Sequence, residues 1–340
     1  MLARTSRVGA FALTLLTWIG ALAACGDDST PVAASTHDRP KVVLIAAGMT
    51  NDGTYNQASG DAVKRLAAEN RIELTIRENN TDPVAIESVI REYAVRGYDL
   101  IITNGYEAIE PVVKLAREFP KVSFSIKGGT QVLQLTAPNV EACTLDGRHW
   151  GYMGGFIAGK IKGVQMVGLV GGPQLPVIEE IHTGFKAGLR DTDPSRTWRE
   201  AYTGSFDDAQ KAKEAAEALI SQGAGVIFTT GDGMGFGVGA AAAGHRPKVL
   251  TIGVGGGRAR EVNIASVKVN EYPLYKSYVD RVEAGIFGDR SSVATFANEG
   301  FLLTPPAEGA TDPRIPADLR AQIAKLVADL ASGARTVPTS

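Results

Sequence analysis

From residue 41 onward, short apolar runs alternate with longer segments whose apolar positions recur at helical spacing. Nearly continuous apolar strands separated by helices of roughly 12 to 15 residues are typical of a parallel sheet with helical crossovers. The first series predicts strands at residues 42–47, 73–77, 99–105 and 122–126, and helices at residues 56–70, 84–96 and 107–118. This part of the chain is therefore predicted to form one α/β unit.

The same alternation starts again after residue 139 with a short strand at residues 140–145 and a helix at residues 147–160. A second series of similar length then follows and predicts a second α/β unit, with strands expected at residues 166–172, 199–202, 226–230 and 249–254. The remaining helices are expected at residues 177–190, 207–222, 236–243, 272–286 and 317–331. We interpret the two units as Rossmann-like lobes joined by a hinge. The N-terminal lobe comprises residues 41–146 plus 271–305, and the C-terminal lobe residues 147–270 plus 306–335. Ligands of such sheets bind beyond the carboxyl ends of the strands, so one ligand is expected in the cleft between the lobes.

The N-terminus carries an export pattern. Arg4 and Arg7 precede an uncharged apolar stretch, residues 8–24, which ends in Leu-Ala-Ala directly before Cys25. A basic start, an apolar segment and small residues before a cleavage point describe a secretory signal peptide, predicted here as residues 1–24. The cysteine at the junction resembles the bacterial lipobox, so Cys25 is predicted to hold a lipid anchor. The alternative is an uncleaved membrane anchor, since the apolar stretch approaches the ~17 residues that span a bilayer.

Residues 25–40 contain too few apolar side chains to bury a face and are predicted to be a flexible tether. No later segment is apolar over a length that would cross a membrane. Loss of Arg4 and Arg7 with the signal peptide reduces the 35 basic residues to 33 against 37 acidic ones, a net charge of −4. This balance provides no electrostatic footprint for nucleic acid. Once Cys25 is lipidated, Cys143 has no disulfide partner and is predicted to be a buried, unreactive thiol.

The loop after the first strand, residues 48–57, carries candidate binding groups at the expected end of the sheet. Asn51 and Asp52 are able to cap the following helix, whose free backbone N–H groups offer contacts to an anion or a hydroxyl. Tyr55 offers a flat aromatic face, and Asn56 follows it directly. The plainer alternative is an ordinary capped turn in which Tyr55 only packs.

The sequence Asn-Asp-Gly-Thr-Tyr-Asn-Gln at residues 51–57 resembles the Asn-Asp-x-Ser-Phe-Asn-Gln signature of the basic membrane protein family, bacterial lipoproteins that bind nucleosides for ABC importers. Further stretches similar to the family follow in the same order at residues 97–102, 167–178, 184–188, 202–208, 223–228, 252–254 and 266–268. The order and spacing of these stretches extend the resemblance over essentially all of residues 41–338. The resemblance implies an α/β fold of the type I periplasmic-binding-protein architecture and a solute-binding role without catalysis.

The resemblance also implies a pocket. The family holds a base between two aromatic rings, which correspond here to Tyr55 and Phe228, and such stacking contributes roughly 0.5–1.5 kcal/mol per pair beyond area burial. A glycine-rich loop at residues 231–237 corresponds to a family loop that approaches the ligand closely. The remaining predicted ligand contacts are the polar groups of Asn51, Asp52, Asn56 and Asp232 and the ammonium of Lys268.

Three positions depart from the family pattern. Nucleoside-binding members have an aspartate at the positions that correspond to Ala46, Gly128 and Gly255, where it binds sugar hydroxyls and polar edges of the base. A site without these acceptors loses its discrimination in favour of ribose, and Asp232 is able to replace only one of them. We therefore expect a planar heteroaromatic ligand, such as a nucleobase or its relative, rather than a standard nucleoside.

Four cationic side chains, those of Lys127, Lys268, Arg258 and Arg260, are expected near the cleft mouth. There they would favour an acidic or carbonyl-rich ligand. Alternatively, Lys127, Arg258 and Arg260 are ordinary solvated loop charges that never contact the ligand.

The predicted function is that of an exported, lipid-anchored monomer that captures a small ligand by lobe closure and delivers it to an ABC permease. No cofactor or metal is expected, since the four histidines lie far apart without ligand spacing. A protein of the same fold that presents its ligand to a membrane sensor is the alternative. An NAD(P)-dependent oxidoreductase is a second one, although residues 231–237 and 253–258 lack the dinucleotide-binding spacing. Hydrolase chemistry is disfavoured, because the sequence has no Gly-x-Ser-x-Gly nucleophile motif.

Overall fold

Two largely parallel β-sheets, each covered on both faces by helices, form two lobes with a cleft between them. This computed structural model describes residues 34–35, 37–230, 233–253, 259, 261–306 and 311–338. Within these ranges each sheet has six strands. The predicted signal peptide, Cys25 and the predicted site residue Asp232 lie outside the described residues.

The helices and strands follow the predicted alternation closely. In chain order they are β1 (Lys41–Ala46), α1 (Tyr55–Ala68), β2 (Glu73–Arg77), α2 (Pro83–Val95), β3 (Leu100–Asn104), α3 (Ile109–Glu118), β4 (Ser123–Lys127), β5 (Val140–Leu145), α4 (Gly147–Lys160), β6 (Met166–Gly171), α5 (Pro176–Thr192), β7 (Thr197–Tyr202), α6 (Ala209–Ser221), β8 (Ala224–Thr229), α7 (Met234–Gly244), β9 (Leu250–Ile252), β10 (Asn263–Val269), α8 (Tyr272–Glu283), β11 (Arg290–Ala294), β12 (Phe301–Thr304) and α9 (Leu319–Ser332). Short 3₁₀ turns follow β3 and β4.

The first sheet has the strand order β11-β5-β4-β3-β1-β2, and all neighbouring strands run parallel. Its inner strands β3 and β4 are buried at every position, because α1 and α8 cover one face and α2 and α3 the other. Cys143 on β5 is also buried, and this burial raises the pKa of its thiol to about 12. A thiol with so high a pKa is protonated and unreactive at neutral pH.

The second sheet has the order β12-β10-β9-β8-β6-β7 and is parallel except for the edge strand β12, which runs antiparallel to β10. The ladder from Phe301 to Thr304 holds β12 in the C-terminal lobe. The lobe boundary predicted after residue 305 is therefore wrong, because the last crossing lies between β11 and β12. The described chain also passes between the lobes from β5 to α4 and from β10 to α8.

The end of the predicted tether is held against the N-terminal lobe. His37 Nδ1 lies 2.7 Å from the Asp99 carboxylate, which also accepts a 2.7 Å hydrogen bond from the backbone N–H of Lys41. The fixed part of the chain thus begins before β1, at the end of the first sheet opposite the carboxyl ends of its strands. None of the helices in the described ranges has the length and apolar character needed to span a bilayer.

Helices α4 and α5 pack at backbone contact in the C-terminal lobe. A Cβ atom at Gly151 would lie 1.8 Å from the carbonyl oxygen of Ile181, and one at Gly155 would lie 1.9 Å from that of Phe185. Only glycine allows this approach. The contact brings the start of α4, with Trp150, beside the start of α5, and both helices turn side chains toward the cleft.

Candidate functional site

A cavity of about 510 Å³ lies between the lobes, at the end of the sheets where the strand-end rule predicts a ligand. The N-terminal lobe lines it with the loops after β1, β3 and β4, where Gly48, Gly105 and Gly128 stand. The C-terminal lobe lines it with the first turns of α4 and α5 and the ends of β8 and β10. Small-molecule pockets have volumes of about 300–1,000 Å³, so the cavity is of the size that holds one small ligand.

Of the predicted site residues in the loop after β1, some stabilise the loop and others line the cavity. The Asp52 carboxylate accepts hydrogen bonds from the backbone N–H groups of Asn56 and Gln57, each at 3.0 Å, and so caps α1. Asp52 and the exposed Asn51 are not among the residues that line the cavity. Asn56 is buried at the cavity wall, where its Oδ1 accepts from Asn104 Nδ2 at 3.3 Å.

Tyr55 lines the cavity as predicted, and Lys127 covers its ring. The Lys127 ammonium lies 3.9 Å from the ring centroid of Tyr55, a cation–π distance. Lys127 also forms an ion pair with Glu271, and the two side chains are only 4% and 3% exposed. Burial is the largest single effect and lowers the pKa of Lys127, but the Glu271 carboxylate, with smaller contributions from Tyr275 and Cys143, more than offsets it, so the pKa lies above its usual value. The interpretation of Lys127 as a solvated loop charge at the cleft mouth is therefore wrong.

The structure does not bring Phe228 to the cavity. Its ring is 1% exposed and packs in the core of the C-terminal lobe against Phe185, with a centroid distance of 4.6 Å. The aromatic ring that the loop after β7 turns into the cavity is that of Phe206. The ring of Phe206 packs directly against Gly172, because a Cβ atom added at Gly172 would lie only 2.6 Å from it. Phe206 was not among the predicted site residues, although its place just after the carboxyl end of β7 is a signal that could have identified it.

Lys268 lies at the rim of the cavity. It is exposed on β10 and stands opposite Leu302 of β12, which also lines the cavity. Lys268 is thus placed to contact whatever enters at this edge. Gly255, Arg258 and Arg260 lie outside the described residues, as does Asp232.

Two positions that correspond to family aspartates contribute no carboxylate to the cavity. Ala46 is buried at the end of β1. At Gly128 a Cβ would lie 2.6 Å from Cγ1 of Val132 and 3.1 Å from Cδ1 of Ile109, so the packing leaves no room for a larger side chain. Three carboxylate side chains at other positions do line the cavity, namely those of the half-buried Glu107 and the exposed Asp61 and Asp207.

The wall contributed by the C-terminal lobe is mainly apolar. Val177, Ile178 and Ile181 of α5 line it beside the indole ring of Trp150 of α4. Apolar and aromatic walls with a few polar groups are typical of sites for small organic ligands. This wall is therefore suited to contact with an apolar face of a small organic ligand.

Solved structures share this architecture. An ABC transporter solute-binding protein from Conexibacter woesei DSM 14684 is 40% identical, with a TM-score of 0.76 over 88% of this chain and 98% of that one. A periplasmic solute-binding protein from Actinobacillus succinogenes 130z, solved with bound D-allose, has a TM-score of 0.64 at 14% identity over 78% of this chain and 98% of that one. The second likeness shows the fold alone. The predicted type I periplasmic-binding-protein architecture is confirmed.

Curated relatives match the chain over part of their length. A purine-binding protein from Brucella abortus (strain 2308) is 29% identical over 197 residues, which are 57% of this chain and 55% of that protein. The ABC transporter nucleoside-binding protein BmpA of Lactococcus lactis subsp. cremoris (strain MG1363) is 26% identical over 237 residues, 67% of this chain and 66% of that protein. The chain thus spans between about half and two thirds of the length of these curated relatives.

A family model described as ABC transporter substrate-binding protein PnrA-like matches residues 39–282. This stretch begins just before β1 and ends in α8, so it includes residues from both walls of the cavity. The resemblance to the basic membrane protein family that begins with residues 51–57 is confirmed. The chain therefore belongs to the Bmp family of PnrA-like ABC transporter substrate-binding proteins.

Proposed function

We propose that this protein captures a small planar heteroaromatic compound outside the cytoplasm and presents it to an ABC permease without chemical change. The observation that carries the proposal is the lining of the cavity, to which each lobe contributes aromatic rings: Tyr55 and Tyr106 from the first lobe, Trp150 and Phe206 from the second. A flat ligand held between two lobes favours their closed arrangement by its higher affinity for that state. Membership in the Bmp family supports the permease as the recipient.

A nucleobase or a related ring compound is the proposed ligand class, in preference to a nucleoside. Ribose hydroxyls need acceptors, and the positions at Ala46 and Gly128 provide no carboxylate. The apolar wall of Val177, Ile178 and Ile181 suits a ring face instead. The purine-binding and nucleoside-binding names of the relatives agree with a heteroaromatic ligand.

Binding is tested by thermal shift and calorimetry on the mature chain with nucleobases and nucleosides. A ligand at a hundredfold excess over its Kd stabilises the folded state by ~2.7 kcal/mol. We expect a shift with bases, and Tyr55→Ala and Phe206→Ala should each weaken binding about tenfold, because each removes one stacking face.

Phe228→Leu is the matched control for these two variants. Its ring lies in the core, so the substitution should lower the melting temperature and leave the Kd unchanged. A response to adenosine or guanosine without any response to free bases would contradict the proposed ligand class. An unchanged Kd in both Tyr55→Ala and Phe206→Ala would contradict the proposed aromatic contacts.

We also propose that the chain is exported by the signal peptide of residues 1–24 and anchored through lipid on Cys25. The tether would then end before Ala34, which lies against Gly285 of the N-terminal lobe. The roughly nine residues from Cys25 to Ala34, at up to ~3.4 Å each, span about 30 Å when extended. Because His37 attaches at the end of the first sheet away from the cavity, such a reach would let the cavity turn toward a permease in the same membrane.

Cys25→Ala tests the anchor directly. In a bacterial host we expect the protein with Cys25 to sediment with membranes and to incorporate labelled fatty acid, and the variant to lose both properties. Cys143→Ala is the matched control, because the buried thiol of Cys143 is out of reach of an acylating enzyme. Continued membrane attachment of Cys25→Ala would instead indicate an uncleaved membrane anchor.

A further inference from the structure

The carboxylate of Glu107 differs from the other two carboxylates that line the cavity. Asp61 accepts a hydrogen bond from Gln57 Nε2, and Asp207 accepts one from the backbone N–H of Gly233, each at 3.3 Å. Both of these residues are exposed, whereas Glu107 is half-buried. Within the part of the chain that the structure describes, the Glu107 carboxylate has neither a hydrogen bond nor an ion pair. Its oxygens remain open to solvent, so a molecule in the cavity can reach them.

The position of this carboxylate follows from the end of β3. Glu107 belongs to the 3₁₀ turn Tyr106–Ala108 that follows the strand. A Cβ atom added at Gly105 would lie 2.8 Å from Oε2 of Glu107 and 2.9 Å from Cβ of Ala47, which directly follows β1. Because β1 and β3 are neighbouring strands, the carboxylate lies beside the carboxyl ends of both. Ligands of parallel sheets bind at this end of the strands.

A ligand that fills the cavity displaces water from its lining, and Glu107 then needs a new hydrogen-bond donor. An ionised carboxylate only accepts hydrogen bonds, and a charged group left without a partner costs more than a neutral one. Among the described residues, two cationic side chains of the same lobe line the cavity, and neither is bonded to Glu107. Lys127 pairs with Glu271, and Arg65 pairs with Glu69. The donor is therefore expected from the ligand itself.

We propose that Glu107 determines specificity within the proposed ligand class, because its carboxylate accepts a hydrogen bond from an N–H group of the bound ring compound, either an exocyclic amino group or a ring N–H. Such a bond is charge-assisted and stronger than one between neutral groups. A compound that presents only acceptors to Glu107 would remove its water and return no donor, and sites of this kind discriminate strongly. This inference rests on the proposed function, since it assumes that a planar ring compound occupies the cavity.

The experiment compares the Kd values of three ligand pairs by calorimetry on the mature chain. Adenine and purine differ in the exocyclic amino group, and adenine and 9-methyladenine differ in the ring N–H. Adenosine and 2′,3′-dideoxyadenosine differ in their sugar hydroxyls. We expect adenine to bind roughly 10–100-fold more tightly than its partner in at least one of the first two pairs, the range for a hydrogen bond to a charged group.

Glu107→Met keeps the length of the side chain and removes its acceptors. We expect the affinity ratio within the selective pair to fall to about threefold or less, because the lost donor no longer matters. The ratio is the diagnostic quantity, since the bulk of a methyl group or a general weakening of the pocket would leave it unchanged. Glu110→Met is the matched control. Glu110 is exposed on α3 and does not line the cavity, so this variant should preserve the ratio.

Three results, each with measurable binding of a base, would overturn the role of Glu107 and leave the proposed function standing. The first is an unchanged ratio in Glu107→Met, and the second is equal binding within both of the first two pairs by the wild-type protein. The third is a ratio that depends on Glu107 only in the adenosine pair, because the carboxylate would then bind a sugar. If none of the bases binds, the proposed ligand class itself fails, and the inference fails with it.

Discussion

Gly151→Ala is expected to lower the free energy of unfolding by about 3 kcal/mol, the upper range for overpacking a close contact. A Cβ at this position would lie 1.8 Å from the backbone carbonyl oxygen of Ile181. A backbone carbonyl has no rotamer by which to move away, so α4 and α5 must separate. Because Trp150 on α4 and Ile181 on α5 both line the cavity, ligand affinity should fall as well.

Urea unfolding of Gly151→Ala beside Gly244→Ala measures this effect. A Cβ at Gly244, the last residue of α7, would meet no atom within 4 Å. Its substitution should therefore change stability by no more than about 1 kcal/mol, and in the stabilising direction if the helix propensity of alanine dominates. Equal stability of the two variants would show that α4 and α5 are not in backbone contact.

Lys127→Met is expected to cost about 3–5 kcal/mol of stability, because it leaves the Glu271 carboxylate buried without a partner. The two side chains are 4% and 3% exposed, so water cannot replace the lost ammonium. Glu271→Gln alone should be destabilising for the converse reason. The double variant Lys127→Met/Glu271→Gln removes both charges and should recover most of the loss.

The cycle of these variants, measured by urea unfolding, gives the coupling energy of the pair. Lys276→Met in the exposed pair Lys276–Asp280, whose side chains are each 44% exposed, is the matched control and should cost no more than about 1 kcal/mol. Additive effects of the two substitutions at Lys127 and Glu271 would contradict a coupled pair. The folded double variant also shows whether ligand binding needs the ammonium beside Tyr55.

The sequence predicted most of the fold because the relevant signals are local. The strands β3 and β4 are buried on both faces, and the apolar residues with which β3 begins, Leu100 to Ile102, are typical of such a buried strand. Helix α2 starts where Asp82 accepts a hydrogen bond from the N–H of Val84 at 2.8 Å, with Pro83 in the first turn. It is followed by Gly97 at a φ of 73°, a conformation that favours glycine.

The late strands β10, β11 and β12 were not predicted, and in β11 nothing in its own residues requires a strand. β11 has the sequence Arg-Ser-Ser-Val-Ala and is at least partly exposed at every position. β11 is extended because it pairs with the edge of β5. In the same way, β12 is extended because it pairs with β10. Such strands form because of pairing partners that are distant in sequence, and a local residue pattern does not show those partners.

The candidate site divides in the same way. The residue pattern alone indicated the α/β class, the family, the loop that carries Tyr55 and Asn56, and the lack of carboxylates at Ala46 and Gly128. Which side chains line the cavity depended on how distant segments pack against one another. Phe228 stacks on Phe185 in the core, so Phe206 lines the cavity in its place.

Lys127 shows the physical reason most clearly. In the sequence it is one more charge at the end of a strand, and charges there are usually solvated. It is buried because it pairs with the carboxylate of Glu271, which lies 144 positions further along the chain, directly before α8. Periodicity reports which face of an element is apolar, whereas the burial of a charge depends on a partner that folding alone supplies.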